Sequence, residues 1–415
     1  MTAAAPAVGI EALNVYAGLA AIEVADLFAG RGLDPARQGN LMLDRRSVGL
    51  PCEDPVTNAV NAAKPLLDAL APPERARVEL LVTSTESGVD YSKSVASYVH
   101  HYLGLPATCR VMEAKQACYA ATGALQLAAG YVASGLSPGA KALVIATDVA
   151  VVDAYAQYAE PATGHGAVAL LVGDEPQVLT LDPGAFGLHS YETLDSARPA
   201  PDQDVADADR SLFAYLDCLD RSFADYADRV EGADFGATFD RLALHTPFAG
   251  LVRSAHRKMT RDWTSLSPQD AGADFDRRVA PSLAYPRQVG NLCSGSVYLA
   301  LASSLDAAPC ARPERVGLFS YGSGCASEFF SGVVTGESAR AVGRMRIGER
   351  LAARRTIDFA EYTRLLKVTR SCLVPERNRE VTWELWEDYL DSGERAGDLL
   401  VHTGVTDYHR TYAWS

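Results

Sequence analysis

A cysteine with unusually small neighbours is the first candidate for chemistry in this sequence of 415 residues. Cys118 lies in "MEAKQACYAATGALQLAAG", at the predicted start of a helix, and almost nothing with bulk follows it. Unpaired N–H groups and the dipole at a helix start stabilise a thiolate and can hold an oxyanion, so Cys118 is a candidate nucleophile. Free cysteine is also among the most buried residue types, and a structural thiol is the alternative.

Glu86 is a candidate general acid/base. It follows a predicted buried strand in "LLVTSTESGVD". A carboxyl group held near apolar surroundings can have a raised pKa that suits proton transfer, whereas the alternative is an exposed glutamate that caps the next helix. Asp148 ends a similar stretch, "VIATD", and could support the site, with a helix N-cap as its alternative.

Two further side chains could bind a substrate carbonyl. His245 follows a short apolar run in "RLALHTPF", where Pro247 stops the strand, so the imidazole is placed to donate into a pocket. Asn291, in "QVGNLCSGS", offers an amide donor where the backbone approaches closely. A histidine hydrogen-bonded in a turn and an ordinary turn asparagine are the alternatives.

The stretch "SYGSGCASEFF" offers a second oxyanion donor. Gly322 and Gly324 flank Ser323, and glycines allow a backbone N–H to face a ligand, although the same pattern also makes ordinary turns. The remaining cysteines have no comparable setting, and their spacings to histidines indicate no metal site. They are Cys52, Cys109, Cys218, Cys293, Cys310, Cys325 and Cys372.

Predicted strands and helices alternate along the chain, which indicates an α/β architecture of layered sheets. Ala-rich stretches of helical length, such as residues 119–134, lie between apolar runs that end in small or polar residues. The predicted buried strands are residues 78–85, 141–148, 167–174 and 315–322.

A weak internal symmetry is also present. "GALQLAAGYVASG" followed by a strand from Lys141 resembles "GSVYLALASSLD" followed by a strand from Arg315, 174 residues later. The chain would then be two similar halves, with Cys118 and the Asn291 loop at equivalent helix starts; chance similarity of apolar units is the alternative. Residues 182–240 are more polar and irregular, and we predict an excursion between the halves there.

Net charge, apolar runs and cysteine content limit the kinds of partner and the cellular compartment that we expect. The formal net charge of −14 argues against a nucleic-acid partner. We expect no membrane span, because no run of about 18 apolar residues is present, and no signal peptide, because a basic n-region is missing. Eight cysteines without a CxxC pair indicate reduced thiols and predict a cytoplasmic protein.

One basic cluster contrasts with this acidic background. "RSAHRKMTR" places Arg253, Arg257 and Arg261 on one helical face, with Lys258 beside them. The cluster could bind a phosphorylated ligand or an acidic carrier, and a solvated helix face is the alternative.

Taken together, these stretches resemble the hydroxymethylglutaryl-CoA synthase family of thiolase-like condensing enzymes. The stretches that carry the resemblance are "TSTESGVD", "EAKQACYAAT", "LVIATD", "LHTPF", "VGN" and "FSYGSG". The similarity is closest to the bacterial branch that installs β-branches on polyketides, through "GIEALNVY", "CEDPVTNAVNAAKP", "RPAPDQDVADADRSLFAYLDC" and "HTPFAGLVRSAHRKM". It covers most of the chain.

The resemblance implies a thiolase-like five-layer αβαβα fold, built from two pseudo-equivalent halves and assembled as a homodimer. On this basis we predict an N-terminal half over residues 1–180, a C-terminal half over 181–332 and an extension over 333–415, to which we assign no chemistry. The family chemistry needs no cofactor and no metal, because its substrates are phosphopantetheine thioesters.

The resemblance also implies roles for the candidate residues. Cys118 would be the acyl-accepting nucleophile, Glu86 the general acid/base and His245 the group that holds the carbonyl of the acceptor thioester. The oxyanion hole would be formed by backbone N–H groups of the nucleophile and of a residue in the glycine-flanked turn. The residues implied to assist are Asn291, Ser323, Asp148 and Tyr321.

The implied reaction joins an acetyl or similar acyl group, carried on Cys118, to the β-ketone of a polyketide thioester, with acyl carrier proteins as donor and acceptor. The alternatives are a decarboxylating enzyme like ketoacyl synthase III, a primary-metabolism synthase that uses CoA thioesters, and a non-catalytic scaffold. Glu86 favours the aldol reaction, because decarboxylation generates a carbanion without a base. His165 stands where the family pattern has a small residue, which bears on the acyl pocket.

Overall fold

The computed structural model describes residues 7–149, 157–390 and 399–415, and within them it contains seventeen strands and fifteen α-helices. The strands are β1 (Gly9–Tyr16), β2 (Ala20–Glu23), β3 (Arg45–Val48), β4 (Val78–Ser84), β5 (Arg110–Ala114), β6 (Lys141–Val149), β7 (His165–Gly173), β8 (Leu179–Ser190), β9 (Ser196–Ala200), β10 (Gln203–Ala206), β11 (Arg241–Leu244), β12 (Glu314–Gly322), β13 (Ala326–Val334), β14 (Arg355–Thr356), β15 (Asn378–Glu380), β16 (Leu400–Thr406) and β17 (His409–Trp414).

The α-helices alternate with these strands, and short 3-10 helices join several of them. The α-helices are α1 (Val24–Arg31), α2 (Gln38–Leu41), α3 (Pro55–Asp68), α4 (Pro72–Arg75), α5 (Val95–Tyr102), α6 (Ala120–Ala133), α7 (Ala208–Arg229), α8 (Ala249–Trp263), α9 (Pro268–Arg278), α10 (Pro286–Val289), α11 (Ser296–Ala307), α12 (Gly336–Gly343), α13 (Ile347–Ala352), α14 (Phe359–Thr369) and α15 (Glu387–Leu390). The 3-10 helices are Pro35–Arg37, Ala117–Tyr119, Gln157–Ala162, Ala280–Leu283, Cys293–Gly295 and Trp383–Trp386.

Nine strands hydrogen-bond in the order β11-β12-β13-β8-β1-β7-β6-β4-β5. This order contains the same arrangement twice, because β1-β7-β6-β4 in the first half corresponds to β8-β13-β12-β11 in the second. The two parts meet through only two residue pairs between β1 and β8. The four strands predicted from apolar runs are confirmed as β4, β6, β7 and β12, and the predicted Ala-rich helix is α6.

Alternating side chains divide the core into layers, as a period of two along a strand requires. On β6, Leu143 and Ile145 pack with α3 and α5, whereas Val144 points to the middle layer of α6 and α11. On β12, Leu318 faces that middle layer and Phe319 packs with α7 and α8. The result is helix, sheet, helix, sheet, helix, which confirms the predicted five-layer αβαβα fold.

The predicted internal symmetry is visible at the two middle helices. A 3-10 turn, Ala117–Tyr119, precedes α6, and a second one, Cys293–Gly295, precedes α11. The two helix starts are 176 residues apart, two more than the strand comparison gave. Cys118 therefore corresponds to a position just after the Asn291 loop, as the repeat indicated.

The prediction of an irregular excursion over residues 182–240 is wrong. β8 is a long strand of the main sheet, and α7 extends over 22 residues. The polar stretch that suggested irregularity, residues 195–211, forms the β9–β10 hairpin and the start of α7, and further along α7 Tyr215 and Phe223 are buried against the sheet. Within residues 182–240, the β9–β10 hairpin is an addition to the repeated architecture.

The C-terminal extension packs against α3. The Asn61 side chain exchanges two hydrogen bonds with the backbone of Leu400, at 3.1 and 2.8 Å. Earlier in the extension, the 3-10 helix Trp383–Trp386 is followed by the one-turn helix α15, Glu387–Leu390. None of the helices in the described ranges combines the length and hydropathy needed to cross a lipid bilayer.

A buried ion pair fixes this extension to the first half. Asp54 caps α3 by accepting from two backbone N–H groups at 2.9 Å, and its other oxygen accepts from Arg410 at 2.9 Å and from Tyr412 at 2.8 Å. Asp54 is fully buried and Arg410 nearly so. Removing one partner of such a pair leaves an uncompensated buried charge.

We therefore expect Arg410→Met to lower the free energy of unfolding by about 3–5 kcal/mol. The matched control is Arg377→Met, because Arg377 forms an exposed pair with Asp407 at 2.9 Å in the same extension. That change should cost less than about 1 kcal/mol. Denaturant unfolding of both variants measures the difference, and equal losses would show that the Asp54–Arg410 pair does not hold the extension in place.

Candidate active site

The nucleophile candidate lies in a strained turn and not in the first turn of α6. Cys118 is the middle residue of the 3-10 turn, and Ala117 before it has a φ of +43°, in the left-handed region. Gly322, at the end of β12, packs directly on this turn. A Cβ atom at Gly322 would clash with the carbonyl oxygen of Gln116 and lie 2.5 Å from the backbone nitrogen of Tyr119. Gly322, in the second half of the chain, therefore packs directly against the turn that carries Cys118 in the first half.

The structure brings Glu86 and Cys118 together. The Cys118 thiol donates a hydrogen bond to Glu86 Oε1 at 3.1 Å. Glu86 follows β4, and Cys118 follows the neighbouring strand β5, so two parallel strands deliver the pair to one edge of the sheet. This is the distance required between a nucleophile and the base that takes its proton.

The pKa of the Cys118 thiol is raised to about 12. A hydrogen bond from Cys293 lowers this pKa, but burial and the charge of Glu86 together raise it by more. The expectation that the helix start lowers the pKa of Cys118 is therefore wrong, because a neighbouring carboxylate opposes a second negative charge. Near neutral pH the sulfur carries its proton, and Glu86 is the adjacent acceptor for it.

Cys293 is a site residue that sequence reasoning missed. It begins the 3-10 turn before α11, with a φ of +46°. Its sulfur, the Cys118 sulfur and a carboxylate oxygen of Glu86 all lie within 4.8 Å of one another. We predicted that no other cysteine has a setting comparable to that of Cys118. This prediction is wrong, because Cys293 lies in the equivalent turn and next to Cys118. The internal repeat was the available signal, because the offset of the two middle helices places Cys293 opposite Ala117.

Asp148 holds the loop that carries Glu86. Its Oδ1 accepts from the backbone N–H of Glu86 at 2.8 Å, from Thr85 Oγ1 at 3.1 Å and from Ser87 Oγ at 2.9 Å. Burial and the charge of Glu86 raise the pKa of Asp148 to about 7. The residue lies within β6, which excludes the helix N-cap alternative.

Arg198 is a second missed residue. From β9 it donates to the carbonyl oxygen of Glu86 at 3.1 Å and to Ser87 Oγ at 3.2 Å. Its remaining nitrogens pair with Asp204 on β10 at 2.6 and 3.0 Å. The β9–β10 hairpin thus covers the Glu86 loop, and its polar sequence, which suggested irregular structure, is what forms this contact.

His245 follows β11 and is almost completely buried. Its backbone N–H donates to the Phe319 carbonyl at 2.7 Å, and Tyr215 donates to the His245 carbonyl at 2.8 Å. Burial lowers the pKa of His245 to about 3, so the imidazole is neutral at physiological pH. A neutral imidazole has one N–H donor, which suits a substrate carbonyl.

The glycine-flanked turn is fixed by a buried acid that the sequence did not reveal. Asp195 accepts from the Tyr321 hydroxyl at 2.6 Å and from the Gly324 backbone N–H at 2.9 Å. The rings of Tyr321 and His245 are 6.3 Å apart. Ser323 lies between Tyr321 and Gly324, so the structure places the predicted oxyanion turn beside His245.

Asn291 is held between two segments of different halves. Its side-chain oxygen accepts from Ser296 Oγ, at the start of α11, at 2.8 Å. Its backbone N–H donates to the Ala162 carbonyl at 2.8 Å, and its carbonyl accepts from Gly164 at 2.9 Å. Asn291 therefore lies two residues before Cys293, in the segment that leads into α11.

His165 does not face the nucleophile. It pairs with Val149 in the sheet and shares the side of β7 that carries Ala167, which packs in the core around α3. There its ring lies 3.6 Å from Glu53, and burial lowers its pKa to about 3. Among the described residues, His165 thus lies on the side of β7 opposite to the one that packs against α6 and α11, so the expected influence on the acyl pocket is not supported by this placement.

The predicted basic face exists on α8. Arg253, Arg257 and Arg261 are exposed on one side of this helix. Lys258 and Arg261 both pair with Asp262, at 3.0 and 2.8 Å, which neutralises part of the charge.

Comparisons with known proteins give the family. The family models described as "Hydroxymethylglutaryl-coenzyme A synthase N terminal" and "C terminal" match residues 5–177 and 269–376. The polyketide biosynthesis 3-hydroxy-3-methylglutaryl-ACP synthase PksG of Bacillus subtilis (strain 168) is 43% identical over 98% of this chain and 99% of its own length. A hydroxymethylglutaryl-CoA synthase of Enterococcus faecalis is 33% identical over 78% of this chain and 82% of its own.

Solved structures agree in fold. The curacin biosynthetic pathway HMG synthase in complex with apo donor-ACP has a TM-score of 0.95 at 44% identity and covers 99% of this chain and 100% of its own. MvaS in complex with 3-hydroxy-3-methylglutaryl coenzyme A has a TM-score of 0.86 at 32% identity, with 99% of both chains covered. With its αβαβα layers and its cysteine–glutamate pair, the chain belongs to the hydroxymethylglutaryl-CoA synthase family.

Proposed function

We propose that this enzyme joins an acetyl or similar acyl group to the β-ketone of a carrier-bound polyketide thioester, and so makes a β-branch. The observation that carries the proposal is the 3.1 Å contact between the Cys118 thiol and the Glu86 carboxylate. The similarity to PksG and to the curacin synthase, which was solved with its donor-ACP, supports acyl carrier proteins as partners. Phosphopantetheine thioesters are the substrates, and no further cofactor enters the reaction.

Loading of the nucleophile begins with a neutral thiol. As the Cys118 sulfur attacks the donor thioester, its proton moves to Glu86. The carbonyl oxygen takes up negative charge, which the backbone N–H groups of Cys118 and Ser323 stabilise. The carrier thiol then leaves with the proton from Glu86, and the acyl group remains on Cys118.

Carbon–carbon bond formation uses the same carboxylate in its ionised form. Glu86 removes a proton from the acetyl methyl group, and the resulting enolate attacks the β-ketone of the acceptor. The ketone oxygen takes up the negative charge and receives the proton back from Glu86, which gives a tertiary alcohol. The neutral His245 ring donates a hydrogen bond to the thioester carbonyl of the acceptor, and Asn291 assists there. Water then hydrolyses the thioester at Cys118 and releases the product.

The support for Glu86 explains why one carboxylate can serve both steps. Asp148 and Arg198 hold the Glu86 loop from two sides, through its backbone N–H and its carbonyl. The carboxylate is thereby left to face the sulfur. A decarboxylating condensation needs no base at this position, so the geometry favours the aldol reaction.

The exposed face of α8, with Arg253, Arg257 and Arg261 and the adjacent Lys258, is the proposed docking site for the carrier. A local positive patch on a chain of net charge −14 can guide an acidic carrier and its phosphopantetheine phosphate without making the whole surface attractive to anions. The helix starts four residues after His245, so the patch continues from the end of the strand that delivers the histidine.

A homodimer and a cytoplasmic location complete the proposal. β5 forms the free edge of the nine-stranded sheet and exposes Val111 and Met112 by 40% and 52%, which suits pairing with a second copy. All eight cysteines are free thiols, which suits a reducing compartment.

Glu86→Gln should separate the two chemical steps. Gln cannot take the thiol proton, but the substitution also removes a charge that raises the pKa of Cys118. Loading from acetyl-carrier protein should therefore fall much less than condensation, which should fall by roughly 10²-fold or more. Intact-protein mass measures loading, and product formation measures condensation. Cys118→Ala should gain no acetyl mass, and Glu113→Gln, at another partly buried glutamate, should leave both steps intact. A wild-type condensation rate in Glu86→Gln would remove Glu86 from the chemistry.

His245→Ala should spare acetylation of Cys118 and weaken use of the acceptor, because the ring donates only in the second step. We expect a rise in KM for the acceptor together with slower condensation. Since the pKa of His245 is about 3, the variant should not remove any pH dependence near neutrality. His189→Ala is the control at a partly exposed histidine. A wild-type condensation rate in His245→Ala would remove His245 from the site.

Charge reversal at Arg257 should weaken carrier-dependent loading. We expect Arg257→Glu to slow acetyl transfer from the carrier protein by about tenfold at low salt and to flatten its salt dependence. Transfer from acetyl-CoA at matched concentration should be slower than from the carrier in the wild type. Arg370→Glu, at an exposed arginine of the extension, makes the same charge change elsewhere. Unchanged carrier transfer in Arg257→Glu, or faster transfer from CoA, would contradict the docking site.

A further inference from the structure

Three potential metal ligands converge at the candidate active site. The sulfurs of Cys118 and Cys293 and a carboxylate oxygen of Glu86 lie within 4.8 Å of one another. Ligands of a tetrahedral Zn²⁺ ion, with Zn–S bonds of about 2.3 Å, are themselves roughly 3.8 Å apart. The two sulfurs and the carboxylate oxygen would therefore need only a small movement to coordinate one ion together. These residues are far apart in the sequence, which is why cysteine–histidine spacing gave no sign of them.

The electrostatic surroundings favour a cation at this position. Asp148, which is only 3% exposed, accepts the backbone N–H of Glu86 with Oδ1. Its Oδ2 is buried and has no hydrogen-bond partner among the described residues. The neighbouring guanidinium of Arg198 is held at the backbone carbonyl of Glu86 and is paired with Asp204. Two carboxylates thus flank the thiols, while the nearby positive charge is already compensated.

We propose that Cys118, Cys293 and Glu86 form a binding site for a thiophilic divalent cation of the Zn²⁺ type. On binding, the two S–H bonds break, two metal–sulfur bonds and one metal–oxygen bond form, and two protons pass to the solvent. No redox change occurs. Three protein ligands leave a fourth position for water or a small ligand, as in open zinc sites.

The cation and the acyl group exclude each other. Acylation converts the Cys118 thiolate into a thioester, which removes one of the two sulfur ligands, and a bound cation occupies the electron pair with which Cys118 would attack. Such a cation therefore inhibits the enzyme in its unloaded form. Binding itself depends only on the three side chains, so it can be tested independently of the proposed condensation.

A second pair of thiols provides a matched control. Cys218 and Cys325 have their sulfurs 3.4 Å apart and are buried. Within the described ranges, however, the group around Cys118 is the one set of three or more such ligands that lies close enough to hold an ion. Cys372 is partly buried like Cys118 and serves as a control for general thiol binding.

The test is a Cd²⁺ titration of the reduced full chain, followed by the ultraviolet charge-transfer band of cadmium–thiolate bonds. We expect one Cd²⁺ per chain in the wild type, with Zn²⁺ competing for it. Cys293→Ser should weaken binding at least about tenfold, because a hydroxyl replaces a thiolate ligand. Cys218→Ser and Cys372→Ser should keep the wild-type band and stoichiometry.

A measurement on the unsubstituted chain guards against misfolding of a variant. Wild-type protein whose Cys118 has been alkylated with iodoacetamide should lose the site, and bound Zn²⁺ should slow that alkylation. Absence of a thiolate band in the wild type, or retention of the band after alkylation of Cys118, would overturn the proposal. Equal weakening in Cys293→Ser and Cys218→Ser would do the same. A lack of condensation activity would leave the cadmium result unaffected, so failure of the proposed reaction and failure of the metal site are distinguishable.

Discussion

The proximity of a neutral thiol to a carboxylate is the constraint on which the rest of this site depends. Because Cys118 and Glu86 lie only 3.1 Å apart, ionising both groups is unfavourable. The thiol therefore keeps its proton and donates it in a hydrogen bond to the carboxylate. That arrangement works only if the carboxylate stays fixed. Asp148 and Arg198 supply this by holding the backbone on either side of it, and they leave its oxygens for chemistry.

The duplicated fold supplies both sides of the reaction. The first half carries the proposed nucleophile and base after the adjacent strands β5 and β4, and the second carries His245 and the glycine-flanked turn after β11 and β12. Contact between the halves is close where Gly322 packs on the nucleophile turn and nothing larger than hydrogen fits. The middle layer of α6 and α11 also contributes to the site, because the two turns that carry Cys118 and Cys293 lead directly into these helices.

Much of this could be predicted from sequence, for reasons that differ between residues. The main strands are continuous apolar runs, and Glu86 follows one of them. Cys118 was identified by the small residues that follow it at a helix start. Cys293, Asp195 and Arg198 were missed because their contacts come from the other half or from a hairpin whose polar residues look irregular. The direction of the Cys118 pKa was also mispredicted, because a local helix start is outweighed by burial and a charge 32 residues away.

The buried cap of α3 has a consequence for synthesis of the chain. Asp54, at the start of this helix, is desolvated in the native state and receives its balancing charge from Arg410. A nascent chain emerges from the ribosome N-terminal part first, so α3 is present long before that arginine is. Until then, burial of Asp54 lacks its counter-ion, and the first half cannot close its outer layer at native stability. The outer layer of the first half therefore gains the stabilisation of this ion pair only after Arg410 has been synthesised.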